Sequence, residues 1–234
     1  MTEIDLLFER LKKIDESSYP DGMYPIQGGI SVPAFYPGGK GTYDNSSKIS
    51  DKKIMILGQD FGSRNQYLKL KERGRENIKK NKTWGPLLSF LDELQLEYTN
   101  CFFTNAILGV REGNMSVGRS LAFKDPKFIS ICQDFFLYQL EIQKPTAILV
   151  LGKEVAKFLG PLSEELKLWE SMTSFKLIDQ NGKQCIRNVV FKNNISANLA
   201  LLTHPSYRKL NAHWRYYMNF EGFEAELKMV KDIL

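Results

Sequence analysis

The sequence predicts a single α/β domain, a three-layer α/β/α sandwich around a central, mostly parallel four-stranded sheet with a peripheral β-hairpin. Two observations predict it. Four short apolar runs, KIMIL, NCFFTNAIL, PTAILVLG and NLALLTHPS, each lead into glycine or polar residues, as buried strands emptying into turns do. Segments of helical character separate these runs, and strands alternating with helices imply a parallel sheet covered on both faces.

The elements follow in chain order. MTEIDLLFERLKKID sets Ile4, Leu7, Phe8, Leu11 and Ile14 on one face of a helix. Residues 19 to 50, rich in Gly, Pro, Ser and Tyr, read as ordered loop that packs with this helix on the core. KIMIL is the first strand, and residues 64 to 82 are polar helix or loop. GPLLSFLDEL is a helix with Pro86 near its start. After the NCFFTNAIL strand, DPKFISICQDFFLYQLEIQ is a helix with Asp125 placed to cap it. The PTAILVLG strand leads into KEVAKFLG, a short helix closed by Gly160. KLIDQNGKQCIRNVVF holds two β-like runs around Asn181-Gly182, a favoured two-residue hairpin turn. NLALLTHPS is the last core strand, and residues 212 to 234 form a helix. All 234 residues belong to this domain, without internal repeats.

Composition narrows the function classes. No apolar run approaches the ~18 residues that a membrane-spanning helix needs. The N-terminus carries acids where a signal peptide is basic and then apolar, so a cytoplasmic location is the default expectation. Cys101, Cys132 and Cys185 are far apart and form no CxxC pair, and His204 and His213 are the only histidines. A zinc site or iron–sulfur cluster needs more ligands than this, so metal-free chemistry is expected. There is no GxxxxGK[ST] loop and no GxGxxG fingerprint, and no cofactor is expected. A net charge of +5 favours an anionic partner. Lys and Arg far outnumber acids in KLKERGRENIKKNK, residues 69 to 82, a pattern that suits phosphate contact or a solvated helix face.

In an open α/β sheet, ligands bind beyond the carboxyl ends of the strands. Those ends carry Gly58-Gln59-Asp60, Thr104-Asn105, Leu151-Gly152-Lys153 and Thr203-His204-Pro205-Ser206. A carboxylate, a carboxamide and a neutral imidazole can hold a flat heterocycle and stabilise positive charge beside it. A fixed Asn presents one acceptor and two donor hydrogens in a plane, which matches the N3–H and O4 edge of uracil.

These motifs carry a family resemblance. GQDFG beside TNAILGVR, then LVLGKEVAKFL and LTHPS, resembles the uracil-DNA glycosylase superfamily over about residues 52 to 210. The resemblance implies a uracil-DNA glycosylase-like fold and a monofunctional DNA glycosylase, most simply a monomer. Its partner would be double- or single-stranded DNA with the target base flipped out. Asp60 would orient the attacking water and stabilise the sugar cation, and His204 would donate to O2 of the leaving base. Asn105 would read the base edge, with Gln59, Phe61 and Gly62 around it. Ser63, Arg64, Gly152, Lys153, Ser206, Tyr207 and Arg208 would meet DNA. The stacking aromatic is Trp84 or, failing that, Phe61.

Two departures from the uracil-specific pattern matter. Where that branch reads G-Q-D-P-Y-H, this chain has Phe61-Gly62-Ser63 after the Asp. The missing tyrosine is the bulk that excludes a 5-methyl group, so Gly62 opens the pocket to larger pyrimidines. Where it reads H-P-S-P-L-S, Tyr207-Arg208 replace Pro-Leu, which makes Arg208, Tyr207 or Leu210 the wedge that fills the gap left by the base. The alternative is a non-catalytic DNA- or nucleotide-binding protein that keeps the same fold.

Overall fold

The computed structural model describes residues 1–26, 48–73, 80–114 and 118–234, with no account of side chains 70–79. Most of the Gly/Pro/Tyr-rich loop, and residues 74–79 of the basic 69–82 stretch, therefore lie outside the described residues.

The chain begins with α1 (Glu3–Lys12), started by a reciprocal cap between Thr2 and Asp5. Ile4, Leu7 and Leu11 bury one face of it, with Phe8 and Ile14 packed at the margin. A short strand, β1 (Met23–Pro25), follows. The core then opens with β2 (Ile54–Gly58), α2 (Arg64–Arg73), α3 (Trp84–Glu93) and β3 (Cys101–Asn105). Next come β4 (Gly109–Arg111), which pairs with β1, and α4 (Pro126–Gln143). Asp125 caps α4 by accepting from the amides of Lys127 and Phe128, with Pro126 in the first turn. The chain continues through β5 (Ala147–Leu151), α5 (Lys153–Leu159), α6 (Lys167–Ser171), α7 (Phe175–Gln180), β6 (Cys185–Val190) and β7 (Ser196–Leu202). It ends with α8 (Arg208–Asn211), β8 (Tyr216–Tyr217), β9 (Phe220–Glu221) and α9 (Gly222–Ile233).

The central sheet has five strands in the order β3-β2-β5-β7-β6. The first four are parallel, and β6 runs antiparallel along β7. Side chains alternate across it with the period of two that strands impose. Met55, Leu57, Phe102, Ile148, Val150, Leu199 and Leu201 face α1, α4 and α5. Ile56, Phe103, Leu149, Leu151, Ala200 and Leu202 face α3 and α9. Helices thus cover both faces, and each fully buried Leu or Phe contributes roughly 2 kcal/mol.

Three sequence expectations need correction. The sheet has five strands rather than four, because CIRNVV joins its edge as β6. Its hairpin partner is β7, and the turn lies at residues 191–195, closed by the Phe191 amide on the Ile195 carbonyl at 2.9 Å. No hairpin forms around Asn181-Gly182, since KLIDQ lies within α7, capped by the Ser174 hydroxyl. The tail is not one helix: Ala212–Trp214 form a 3-10 turn, the small β8–β9 ribbon follows, and the α-helix begins only at Gly222. Among the described residues no helix is long and apolar enough to cross a membrane.

Candidate active site

The sheet order reverses between β2 and β5: the chain leaves β2 for β3 on one side and returns to β5 on the other. Loops diverge at such a switch and leave a crevice at the carboxyl ends of the strands. Here that crevice is a cleft of about 790 Å³. Asp60 from the end of β2 and His204 from the end of β7 both line it.

Asp60 sits in a tight turn. Its Oδ1 accepts the Gly62 amide at 2.9 Å, and Gly62 has φ 75°, a left-handed conformation in which glycine carries no steric penalty. The Gly62 carbonyl in turn accepts the Arg111 amide at 2.8 Å. Arg111, the last residue of β4, places Nε and Nη2 each 2.7 Å from Asp60 Oδ2. The carboxylate side chain is only 4% exposed. Burial pushes the Asp60 carboxyl above its ordinary range, while the Arg111 charge and the Gly62 amide resist that push.

His204 is set differently. Gly152, at φ 99° after β5, brings its backbone so close that a β-carbon there would lie 3.6 Å from His204 Cβ. The imidazole Nδ1 accepts the Ser206 amide at 3.3 Å and lies 2.7 Å from the Ser206 hydroxyl. A ring nitrogen that accepts carries no proton, so the neutral ring keeps its hydrogen on Nε2. Burial, with the charges of Arg208 and Arg111, lowers the His204 pKa to about 4. Near neutral pH it is an uncharged hydrogen-bond donor.

No protein-family model matches the chain, and no curated protein matches it. The chemistry of the cleft therefore rests on its own atoms.

Of the residues expected at the site, Gln59, Asp60, Phe61, Gly62 and Trp84 line the cleft. Gly152, Lys153, His204, Ser206 and Tyr207 line it too. Gln59 is engaged, its Nε2 donating to the Gly118 carbonyl at 3.0 Å. The two stacking candidates are both largely buried: Trp84 is 3% exposed with its ring 5.2 Å from Phe103, and Phe61 is 8% exposed.

Four expected residues lie elsewhere. Asn105 is 1% exposed at the end of β3 and does not line the cleft, because β3 is one strand removed from the β2–β5 switch. Ser63 is buried, and its hydroxyl accepts the Gln66 amide at the start of α2. Arg64 stacks its guanidinium over Tyr24 at 4.7 Å, outside the cleft. Arg208 is no wedge. It is 6% exposed, bound to Glu226 at 3.1 Å and lying over Phe90 at 4.1 Å. Leu210, by contrast, is 66% exposed.

Sequence reasoning missed Arg111, Arg119 and Phe175, all of which line the cleft, whereas Lys82, which lines it too, ends the basic 69–82 stretch already read as suited to phosphate contact. Arg111 closes the TNAILGVR run, its only signal in the sequence; Arg119 and Phe175 reach the cleft through tertiary folding alone. An uncharged donor, a buried carboxylate, aromatic walls and cations at the rim together suit a flat heterocycle attached to an anionic backbone.

Proposed function

We propose that this chain is a uracil-DNA glycosylase-like enzyme that hydrolyses the N-glycosidic bond of uracil, or a related modified pyrimidine, flipped out of DNA. On this reading the four parallel strands are the sandwich core of that superfamily and β6 is an added edge. One observation carries the proposal: a carboxylate from the first parallel strand and an imidazole from the last line a single cleft, roomy enough for a flipped base.

The bond from C1′ to the base nitrogen breaks with its electron pair leaving on the base. Negative charge then gathers on the base O2, where the neutral His204 donor stabilises it. The sugar becomes oxocarbenium-like, and Asp60 supports that charge and the incoming water. Water oxygen bonds to C1′, its proton passes to the departing base, and an abasic site remains. Because Gly62 has no side chain, substituents at C5 of the pyrimidine meet no tyrosine.

The test is direct. Oligonucleotides carrying uracil, hydroxymethyluracil, hypoxanthine or glycosylated bases are incubated with the protein and then cleaved with alkali. Strand breaks are expected on at least one, and breaks on none overturn the proposal. Asp60→Asn is expected to slow base release by about 10²-fold or more with little change in DNA binding.

A second reading, a non-catalytic binder of DNA or nucleotides, is favoured by the position of Asn105 off the cleft. It is supported instead if uracil-containing or abasic DNA is retained in a gel shift with no base released.

A further inference from the structure

Arg111 belongs to none of the strand ends that frame the cleft, yet it holds one of them together. Its backbone amide donates to the Gly62 carbonyl, and it bridges to Ser63. Its side chain reaches back over the same turn, with Nε and Nη2 on Asp60 Oδ2 and Nη2 also on the Gly118 carbonyl at 2.9 Å. The guanidinium is 7% exposed and is anchored through β4 to β1.

We propose that Arg111 is the positioning residue of this site, a guanidinium clamp that fixes Asp60 as an anion in the cleft wall. Its catalytic meaning rests on the glycosylase reading; the clamp itself does not. A carboxyl this deeply buried takes up a proton unless a cation faces it. Once protonated, it supports neither a sugar cation nor an oriented water. No other ion pair to Asp60 exists among the described residues. The remaining charged or titratable groups on the cleft are His204, Tyr207, Lys82, Lys153, Arg119 and Glu154, the last two paired with each other at 3.1 Å. The planar fork of Arg reaches Asp60 and Gly118 together, which the point charge of a Lys does not reproduce. The same charge also lies near enough to His204 to help keep its ring neutral. One side chain thus holds the acid charged and the imidazole uncharged.

The first experiment needs no substrate. Carboxyl and imidazole NMR titrations of the full chain are compared between wild type and Arg111→Gln. The Asp60 midpoint is expected to rise by about one to three pH units in the variant, with His204 rising alongside it. An unchanged Asp60 midpoint, or one that falls to the value of a solvated carboxylate, overturns the clamp. If Arg111→Gln does not fold, Arg111→Lys serves: the Asp60 midpoint is expected to stay nearer wild type while the lost fork still lowers base release. Full activity in Arg111→Lys overturns the positioning role. In an active enzyme, the acid limb of kcat/KM is expected to follow the Asp60 midpoint upward in Arg111→Gln. If the midpoints move but the wild type releases no base, the clamp stands and the glycosylase reading falls.

Discussion

At the scale of single residues, His204 shows how burial and one backbone amide settle a proton. The Ser206 amide occupies Nδ1, and desolvation keeps the ring neutral down to a pKa of about 4, against 6.5 for a free side chain. Between those values the unfolded chain binds a proton that the folded chain refuses, so stability falls as pH drops from 6.5 towards 4. Replacing His204 with Gln is expected to flatten that decline by up to about 3 kcal/mol, read from urea unfolding across the range. An equally steep decline in the variant contradicts a buried neutral ring. On the proposed glycosylase reading, the same substitution is expected to reduce base release by about 10²-fold or more, since it displaces the proposed donor to the leaving base. Gly62 makes a conformational point. Its φ of 75° is forced by the turn that Asp60 and Arg111 close from either side, so the open pocket has a backbone cause. Gly62→Ala is expected to cost about 1–2 kcal/mol in unfolding free energy, and no loss means the turn relaxes.

At the scale of elements, the end of β7 is held by a helix far from it in sequence. Glu226 of α9 is fully buried and accepts from the amide and hydroxyl of Thr203, the residue before His204. Its two oxygens also meet Arg208 at 3.1 Å and Arg215 at 2.9 Å, and Arg215 continues to Asp179 of α7. Glu226→Gln leaves two buried guanidinium groups facing a neutral amide. Loss of one partner from such a network is expected to cost about 3–5 kcal/mol, measured by urea unfolding. A change within experimental error of zero shows that Thr203 and the arginines repack without it. This network also explains why α7 was misread as a strand. Phe175, Ile178 and Asp179 share a helical face, and Arg215 meets two of them: it bonds Asp179 and lies 4.7 Å over Phe175. The partner is 36 residues from Asp179, so no local pattern announces it. By contrast, α1 was legible from its apolar spacing and α4 from the cap at Asp125, both local signals. The Asn181-Gly182 pair was a genuine turn signal attached to the wrong element, closing a helix rather than a hairpin.

At the scale of the whole molecule, a sequence reveals strand ends more readily than their lateral order. Asp60, Gly152 and His204 were found because β2, β5 and β7 lie side by side around the switch. Asn105 lies off the cleft because β3 is the outermost strand, and Arg111 was overlooked because β4, beyond that strand, carries it back. The same architecture gathers charge. Lys82 comes from before α3 and Lys153 from the start of α5, yet both line the one cleft in a chain of net charge +5. Arg119 contributes less, since Glu154 pairs with it, whereas Lys153 only donates to the Thr173 carbonyl at 3.0 Å. If these lysines meet DNA phosphates, binding releases counterions, and affinity falls as salt rises. Each of Lys82→Gln and Lys153→Gln is expected to make the slope of log affinity against log salt shallower by about 1. Base release at saturating DNA should stay near wild type, because neither ammonium is asked to touch the reacting bond. Fluorescence-anisotropy titrations of labelled duplex and single strands at several salt concentrations provide the measurement. Slopes that match wild type in both variants put the DNA on another face of the molecule, and the cleft would then be left with a small-molecule ligand.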